Sequence, residues 1–138
     1  MDPDISLKRV FGDVYFTAKR MPDNAFILCQ WYGLQSVETV MQGGNTYLEM
    51  IKEKPCAKLL NSNKEVIGSW DMALEWAENV WTPSVRAAGL RYLAQVVPTG
   101  FYSAKTIETL IFRIEGEFEI KTFDDEELAE RWLRSVKD

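Results

Sequence analysis

From Val14 to Lys19 the chain reads Val-Tyr-Phe-Thr-Ala-Lys, a run of β-branched and aromatic residues that predicts a strand, whereas the 13 residues before it show no clear period. Met21-Pro22-Asp23-Asn24 then supplies a turn, because proline presets φ while Asp and Asn offer side-chain acceptors and tolerate the left-handed region. Phe26 to Tyr32 is apolar at nearly every position, as in a strand buried on both faces, and should pair antiparallel with the first strand as a hairpin. Ser36 opens a helical stripe of Val37, Val40, Met41, Gly44, Leu48 and Ile51 that runs to about Lys54, where Pro55 stops it. The pair Gly43-Gly44 lies inside that stripe. Each glycine costs about 1 kcal/mol relative to alanine in a helix interior, so the pair implies either a close approach of helix to sheet or a local break.

Ala57 to Asn61 predicts a short third strand, followed by a polar loop, Ser62-Asn63-Lys64, and a second helix from Ser69 or Trp70 to Trp81. Thr82-Pro83 reads as a cap with proline at the first position of a new short helix ending at Ala88-Gly89. Within Arg91 to Pro98, the apolar run Tyr92 to Val97 has the character of a central parallel strand. Ser103 can cap a helix with the stripe Ile107, Leu110, Ile111 and Ile114 and a stop at Gly116. Phe118 to Phe123 alternates like a half-exposed edge strand. The last helix starts at Asp124 or Asp125 and buries Leu128, Trp132, Leu133 and Val136, with charges that match its dipole. The order β-β-α-β-α-β-α-β-α with short connections predicts an α/β, single-domain sandwich over residues 1–138, with a core of about 14–136. Its mixed five-stranded sheet, with an N-terminal β-hairpin, should be centred on Phe26 to Tyr32 and Leu93 to Val97.

Composition mainly removes chemistry. The 138 residues include no histidine, which excludes Ser-His, Cys-His and histidine-metal designs. Sixteen basic against 21 acidic residues, a net charge of -5, provide no basic footprint for nucleic acid. Cys29 and Cys56 are too few and too far apart for a zinc site or a redox pair, and their apolar surroundings predict buried, inert thiols in a reducing compartment. The N-terminus lacks a basic stretch followed by an apolar one, and no apolar run approaches the ~20 residues that span a bilayer. The expectation is a cytoplasmic protein without metal, cofactor, nucleic-acid partner or membrane span.

Several pieces of sequence, in this order, resemble the STAS/SEC14-like, or SpoIIAA-like, family of small bacterial α/β proteins. They are Lys58-Leu59-Leu60-Asn61, Gly68-Ser69-Trp70, Trp76, Ala88-Gly89-Leu90, and Thr122-Phe123-Asp124-Asp125 through Ala129 to Trp132-Leu133. The resemblance covers about residues 14–136. It implies a regulatory, protein-interaction role without catalysis or, on the SEC14 side, carriage or sensing of a small apolar, lipid-like ligand. It also places Ser69 where STAS-type anti-sigma-factor antagonists carry a phosphorylatable serine, with Gly68 where those proteins usually have aspartate. Phosphate there would add about -1.5 to -2 charge; the plainer reading of Ser69 is a helix N-cap.

The second helix has more apolar surface than one sheet covers. At about 100° per residue, Trp70, Met72, Ala73, Leu74, Trp76, Ala77, Val80 and Trp81 fill an arc of roughly 200°, against the ~100° a sheet-packed helix needs. The surplus, centred on Met72 and Trp76 with Trp70 beside them, requires a cover: a second subunit, a protein partner, an apolar ligand, or other parts of the same chain. The acidic run Asp124 to Glu127 offers carboxylates, but neighbours in one helical turn diverge and serve the dipole rather than a metal or an acid-base pair. No glycine-rich phosphate loop is present. The reading is a non-enzymatic interaction module with no catalytic residues.

Overall fold

A computed structural model describes residues 2–137. Six strands lie in the order β1 to β6: Ile5–Lys8, Val14–Arg20, Ile27–Gly33, Lys58–Val66, Tyr92–Val96 and Glu119–Phe123. Strand β2 is antiparallel to both of its neighbours, β1 and β3, and β3 to β6 run parallel. The sheet thus has six strands rather than five. The additional β1 has only two inward residues, Ile5 and Leu7, opposite Ala18 and Phe16 of β2, which is too short an alternation to stand out from irregular sequence. The centre is also displaced: β3 does lie in the middle, but its central partner is β4, and β5 sits one place in from the edge strand β6.

Helix α1 (Val37–Glu53) starts at a capping box in which Ser36 Oγ accepts from the Thr39 N–H at 3.2 Å and Thr39 Oγ1 accepts from the Ser36 N–H at 2.8 Å. It runs unbroken through Gly43-Gly44. Helix α2 (71–87) is one continuous run of different turns: 3₁₀ over Asp71–Ala73, α over Leu74–Trp76, π over Ala77–Trp81 and α over Thr82–Ala87. Thr82-Pro83 therefore begins no new helix. Proline lacks an N–H and crowds the carbonyl four residues back; the wider π turn just before Pro83 makes room, and Thr82 Oγ1 donates to Ala77 O at 2.8 Å.

Helix α3 (Phe101–Ile114) starts two residues before Ser103, with Gly100 at the N-cap; Ser103 is buried and donates to Gly100 O at 3.2 Å instead of capping. Helix α4 (Glu126–Ser135) is capped by Asp125, whose Oδ1 accepts from the Glu127 and Leu128 N–H groups. It buries Ala129 and Leu133, one turn apart, which leaves the expected core residue Leu128 47% exposed at the side of the helix. Helices α1, α2 and α3 cover one face of the sheet and enclose the main core around Phe16, Ile51, Leu59 and Ile107. The opposite face carries α4 over β4, β5 and β6, with Leu60, Ala94, Val96 and Leu133 in a smaller core.

Candidate functional site

Strand β4 does not end at Asn61. Leu59, Asn61 and Asn63 continue the period-two alternation toward the three-helix face, and the segment expected as a polar loop is strand because its amides satisfy one another. Asn61 Nδ2 donates to Gln95 Oε1 at 3.0 Å and to Asn63 Oδ1 at 3.2 Å; Gln95 Nε2 donates to Asn63 Oδ1 at 2.6 Å. Asn61 Oδ1 accepts from Trp31 Nε1 at 2.9 Å, which locks that indole over the sheet beside Phe16.

The glycine pair of α1 seats further rings on this floor. A β-carbon at Gly43 would lie 2.4 Å from Trp31, and one at Gly44 would lie 2.8 Å from Trp76 and 3.0 Å from Trp81. Trp81 Nε1 also donates to Gly44 O at 3.2 Å. Close approach, not a break, is the reason for both glycines. Trp31, Trp70, Trp76 and Trp81 surround a cavity of about 60 Å³ whose wall also includes Gln35, Asn61 and Asn63 and contains no ionisable side chain. Gln35 is fixed there by donating to Tyr32 O at 3.0 Å and accepting from Thr39 Oγ1 at 2.8 Å.

Strands β1, β3, β4, β5 and β6 finish at one end of the sheet, and their following loops meet there. The Arg9 guanidinium donates to Tyr32 O at 3.0 Å and to Leu34 O, and the Ile67 N–H donates to Gly33 O at 3.2 Å. This end displays Val10, Phe11, Leu34, Ile67, Met72, Phe101 and Tyr102, all more than half exposed. Ser69 is among them. Its Oγ accepts from the Asp71 N–H at 3.2 Å and lies 3.3 Å from Thr106 Oγ1, which in turn donates to Asp71 Oδ1 at 2.7 Å. The N-cap position itself is Trp70.

The three residues expected on one functional surface separate. Met72 is 59% exposed, Trp76 is half-buried against the main core, and Trp70 is buried at 5% exposure. The surplus apolar arc of α2 is covered largely from within, since α1 and α3 flank it and leave Met72 and Val80 outside. Sequence reasoning missed Trp31, Trp81, Asn61, Asn63 and Gln95. The alternation of Leu59, Asn61 and Asn63 is a local signal for the two asparagines alone.

Catalytic convergence is absent from these groups. Asp125 caps α4, Glu126 accepts from Gln30 Nε2 at 3.1 Å, and Glu127 pairs with Arg131 at 3.0 Å. Among the described residues no three Cys, Asp or Glu side chains are grouped to hold a metal, and no helix is long and apolar enough to cross a membrane. Cys29 and Cys56 are both buried, and burial pushes the Cys29 thiol far above its usual range.

No family model matches the chain, and no curated protein matches it. Among solved structures, the anti-sigma factor antagonist SpoIIAA in its unphosphorylated form is similar over 88% of this chain and 99% of its own, with a TM-score of 0.62. The fold is STAS-like. Sequence identity between the two is 12%, so the likeness is one of architecture. In this STAS-like setting the loop end and the tryptophan cavity lie on adjoining parts of the chain, joined at Trp70.

Proposed function

We propose that this chain is a non-enzymatic regulatory module that binds a protein partner, or a second copy of itself, through the loop end of the sheet. The observation that carries this reading is the gathering of seven large exposed apolar side chains there, on loops held together by Arg9 and by the Ser69, Thr106 and Asp71 contacts. Monomeric proteins seldom expose contiguous apolar patches of more than a few hundred Å² without a binding role, and Phe, Tyr and Met are enriched at interfaces. The SpoIIAA-like architecture supports the same class of role by analogy of fold. Ser69 is the switch in this reading. Phosphate would set about -1.5 to -2 charge beside the Asp71 carboxylate, and repulsion would part the loop from α3.

The test compares Met72→Asp and Phe101→Asp with Phe112→Asp, a control at an exposed residue ~16 Å further along α3. Affinity purification and sedimentation of the four proteins should show one partner, or self-association, retained by the wild type and the control and lost at least tenfold in the other two, with melting unchanged. Ser69→Asp should weaken the same association and Ser69→Ala should keep it. Identical associations for all the variants would remove the loop end as the docking surface.

The second reading, carriage of an apolar ligand, is supported by the tryptophan cavity. At about 60 Å³ it falls well short of the roughly 300 Å³ or more of typical ligand pockets. Its size suits a much smaller occupant than a lipid.

A further inference from the structure

Strand β6 is the last strand of the parallel half of the sheet, and one side of its backbone faces no other strand among the described residues. The Glu119 N–H donates to Arg91 O at 3.0 Å, and Phe123 O accepts from the Val97 N–H at 2.9 Å. In a parallel ladder every second residue turns its backbone groups to the neighbour, so Glu119, Lys121 and Phe123 are bound to β5, while Ile120 and Thr122 hold their N–H and C=O groups outward. Those outward groups have no partner among the described residues. An open edge is a template for another strand, and folded proteins commonly interrupt it or charge it. The opposite edge is interrupted, by a register shift in β1 between Leu7 and Lys8. Strand β6 instead keeps one register with β5 from Glu119 to Phe123. Its protection would have to come from charge: Glu119 and Lys121 are exposed, two residues apart and so on one face, and neither is in an ion pair among the described residues.

We propose that the β6 edge pairs antiparallel with the β6 edge of a second copy of this chain, about a twofold axis through Ile120. The charges that guard an edge against other strands are self-complementary in this one register. Backbone direction requires outward residues to meet outward residues, which leaves few ways to place the axis. Centred on Glu119, the pairing opposes Glu119 to its own copy, and centred on Lys121 it opposes Lys121 to its own copy; like charges directly opposite are destabilising. Centred on Thr122, it sets Lys121 against Phe123 and forms neither ion pair. Centred on Ile120, it sets Glu119 against Lys121 twice, on the same face, while the two Ile120 residues exchange both of their outward hydrogen bonds. Such a contact uses the same patch on both copies and closes as a dimer. It runs along the side of the sheet, apart from the loop end, and does not depend on the docking reading.

The test reverses one charge at a time. Glu119→Lys and Lys121→Glu each turn both cross-strand pairs into like charges, at exposed positions where the fold is kept. Sedimentation equilibrium of the whole chain at low salt should show a dimer in the wild type and an association at least about tenfold weaker in either variant. Mixed in equal amounts, the two variants oppose lysines to glutamates at both positions and should associate as the wild type does. The double variant, Glu119→Lys with Lys121→Glu, should recover as well. The Ile120 and Thr122 amides should gain protection from hydrogen exchange as the wild-type concentration rises, and Met72→Asp should dimerise like the wild type. The proposal is overturned by a wild type that stays monomeric at about 1 mM, where a contact of that Kd is half formed, by a dimer indifferent to either reversal, or by a mixture that fails to associate. Loss of the dimer in Met72→Asp would also overturn it and would place self-association at the loop end, whereas loss of a different protein partner in that variant leaves the β6 pairing intact.

Discussion

Under α4, strands β4 and β5 present Leu60, Ala94 and Val96 to Ala129 and Leu133, and the space is filled by aliphatic side chains. On the other face of the same two strands, the next residues along are Asn61, Asn63 and Gln95, set beneath tryptophans that do not close over them. One register of one pair of strands thus builds a dry aliphatic seam and a polar-floored cavity. The difference lies in what the alternate residues can satisfy. Aliphatic positions gain by excluding all space, at roughly 25 cal/mol per Å² buried, whereas the amides must first pair with one another, and rings as large as indole then leave gaps that smaller side chains would fill.

The largest effect is expected from truncating the closed face. Leu133→Ala should lower stability by about 2–5 kcal/mol, since the void it opens is lined by aliphatic groups and stays empty. Leu110→Ala borders the existing cavity, where Asn61 and Asn63 already offer polar partners to an entering water, and should cost less. Urea unfolding of both variants checks the comparison; an equal or larger loss at Leu110 would show that the two faces are packed alike.

A smaller effect separates the two glycines of α1. Replacing either by alanine gains about 1 kcal/mol of helix propensity. At Gly43 the new methyl meets Trp31 at 2.4 Å, and Trp31 cannot yield because Asn61 holds its N–H and Phe16 its ring edge. Gly43→Ala should therefore lose about 1–3 kcal/mol net, as overpacked cores do. At Gly44 the nearest atom is Trp76 Cη2 at 2.8 Å, and Trp76 is half-buried with the cavity beside it. It can turn aside. Gly44→Ala should stay within about 1 kcal/mol of the wild type, and thermal melts showing the two variants equally damaged would refute the idea that the cavity wall can move.

These contrasts also mark what could be read from sequence. The hairpin of β2 and β3, the start of α1 after Ser36, the edge strand β6 and the start of α4 all follow from local chemistry: a proline-aspartate turn, a serine before an apolar stripe, alternation, an acidic cap. Strand β1 has two inward residues, too few to make a period. The second half of β4 looks like a loop because Asn, Ser and Lys in succession usually are one; only distant partners make the segment a strand, through its ladder with β3, where Gln30, Tyr32 and Gly33 face Ser62, Glu65 and Val66, and through the bond from Asn61 to Gln95, 34 residues away. The cavity was illegible for the same reason. It depends on Trp31, Trp70, Trp76 and Trp81 meeting from three elements, and the two glycines that seat them carry their meaning only once the sheet is beneath.

The most distributed contrast is in the response to pH. The three-helix face buries Cys29 and Tyr47, whose thiol and hydroxyl are both raised by burial, Tyr47 well above the usual range. The unfolded chain releases the thiol proton from about pH 8.5 and the phenol proton from about pH 10, while the folded chain keeps both. Stability from these groups is therefore complete below pH ~8.5 and falls as pH rises, at about 1.4 kcal/mol per pH unit for each group once its unfolded form ionises. Urea midpoints between pH 7 and 10.5 should be flat to about pH 8.5, then decline, with a steeper limb above pH ~10. Cys29→Ala shifts the whole curve by its own packing cost, but its slope between pH 9 and 10 should be distinctly shallower than that of the wild type. The slope isolates the ionisation from the packing. An unchanged slope would mean that the Cys29 thiol ionises within the fold, and that the floor of the three-helix face admits water well beyond the tryptophan cavity.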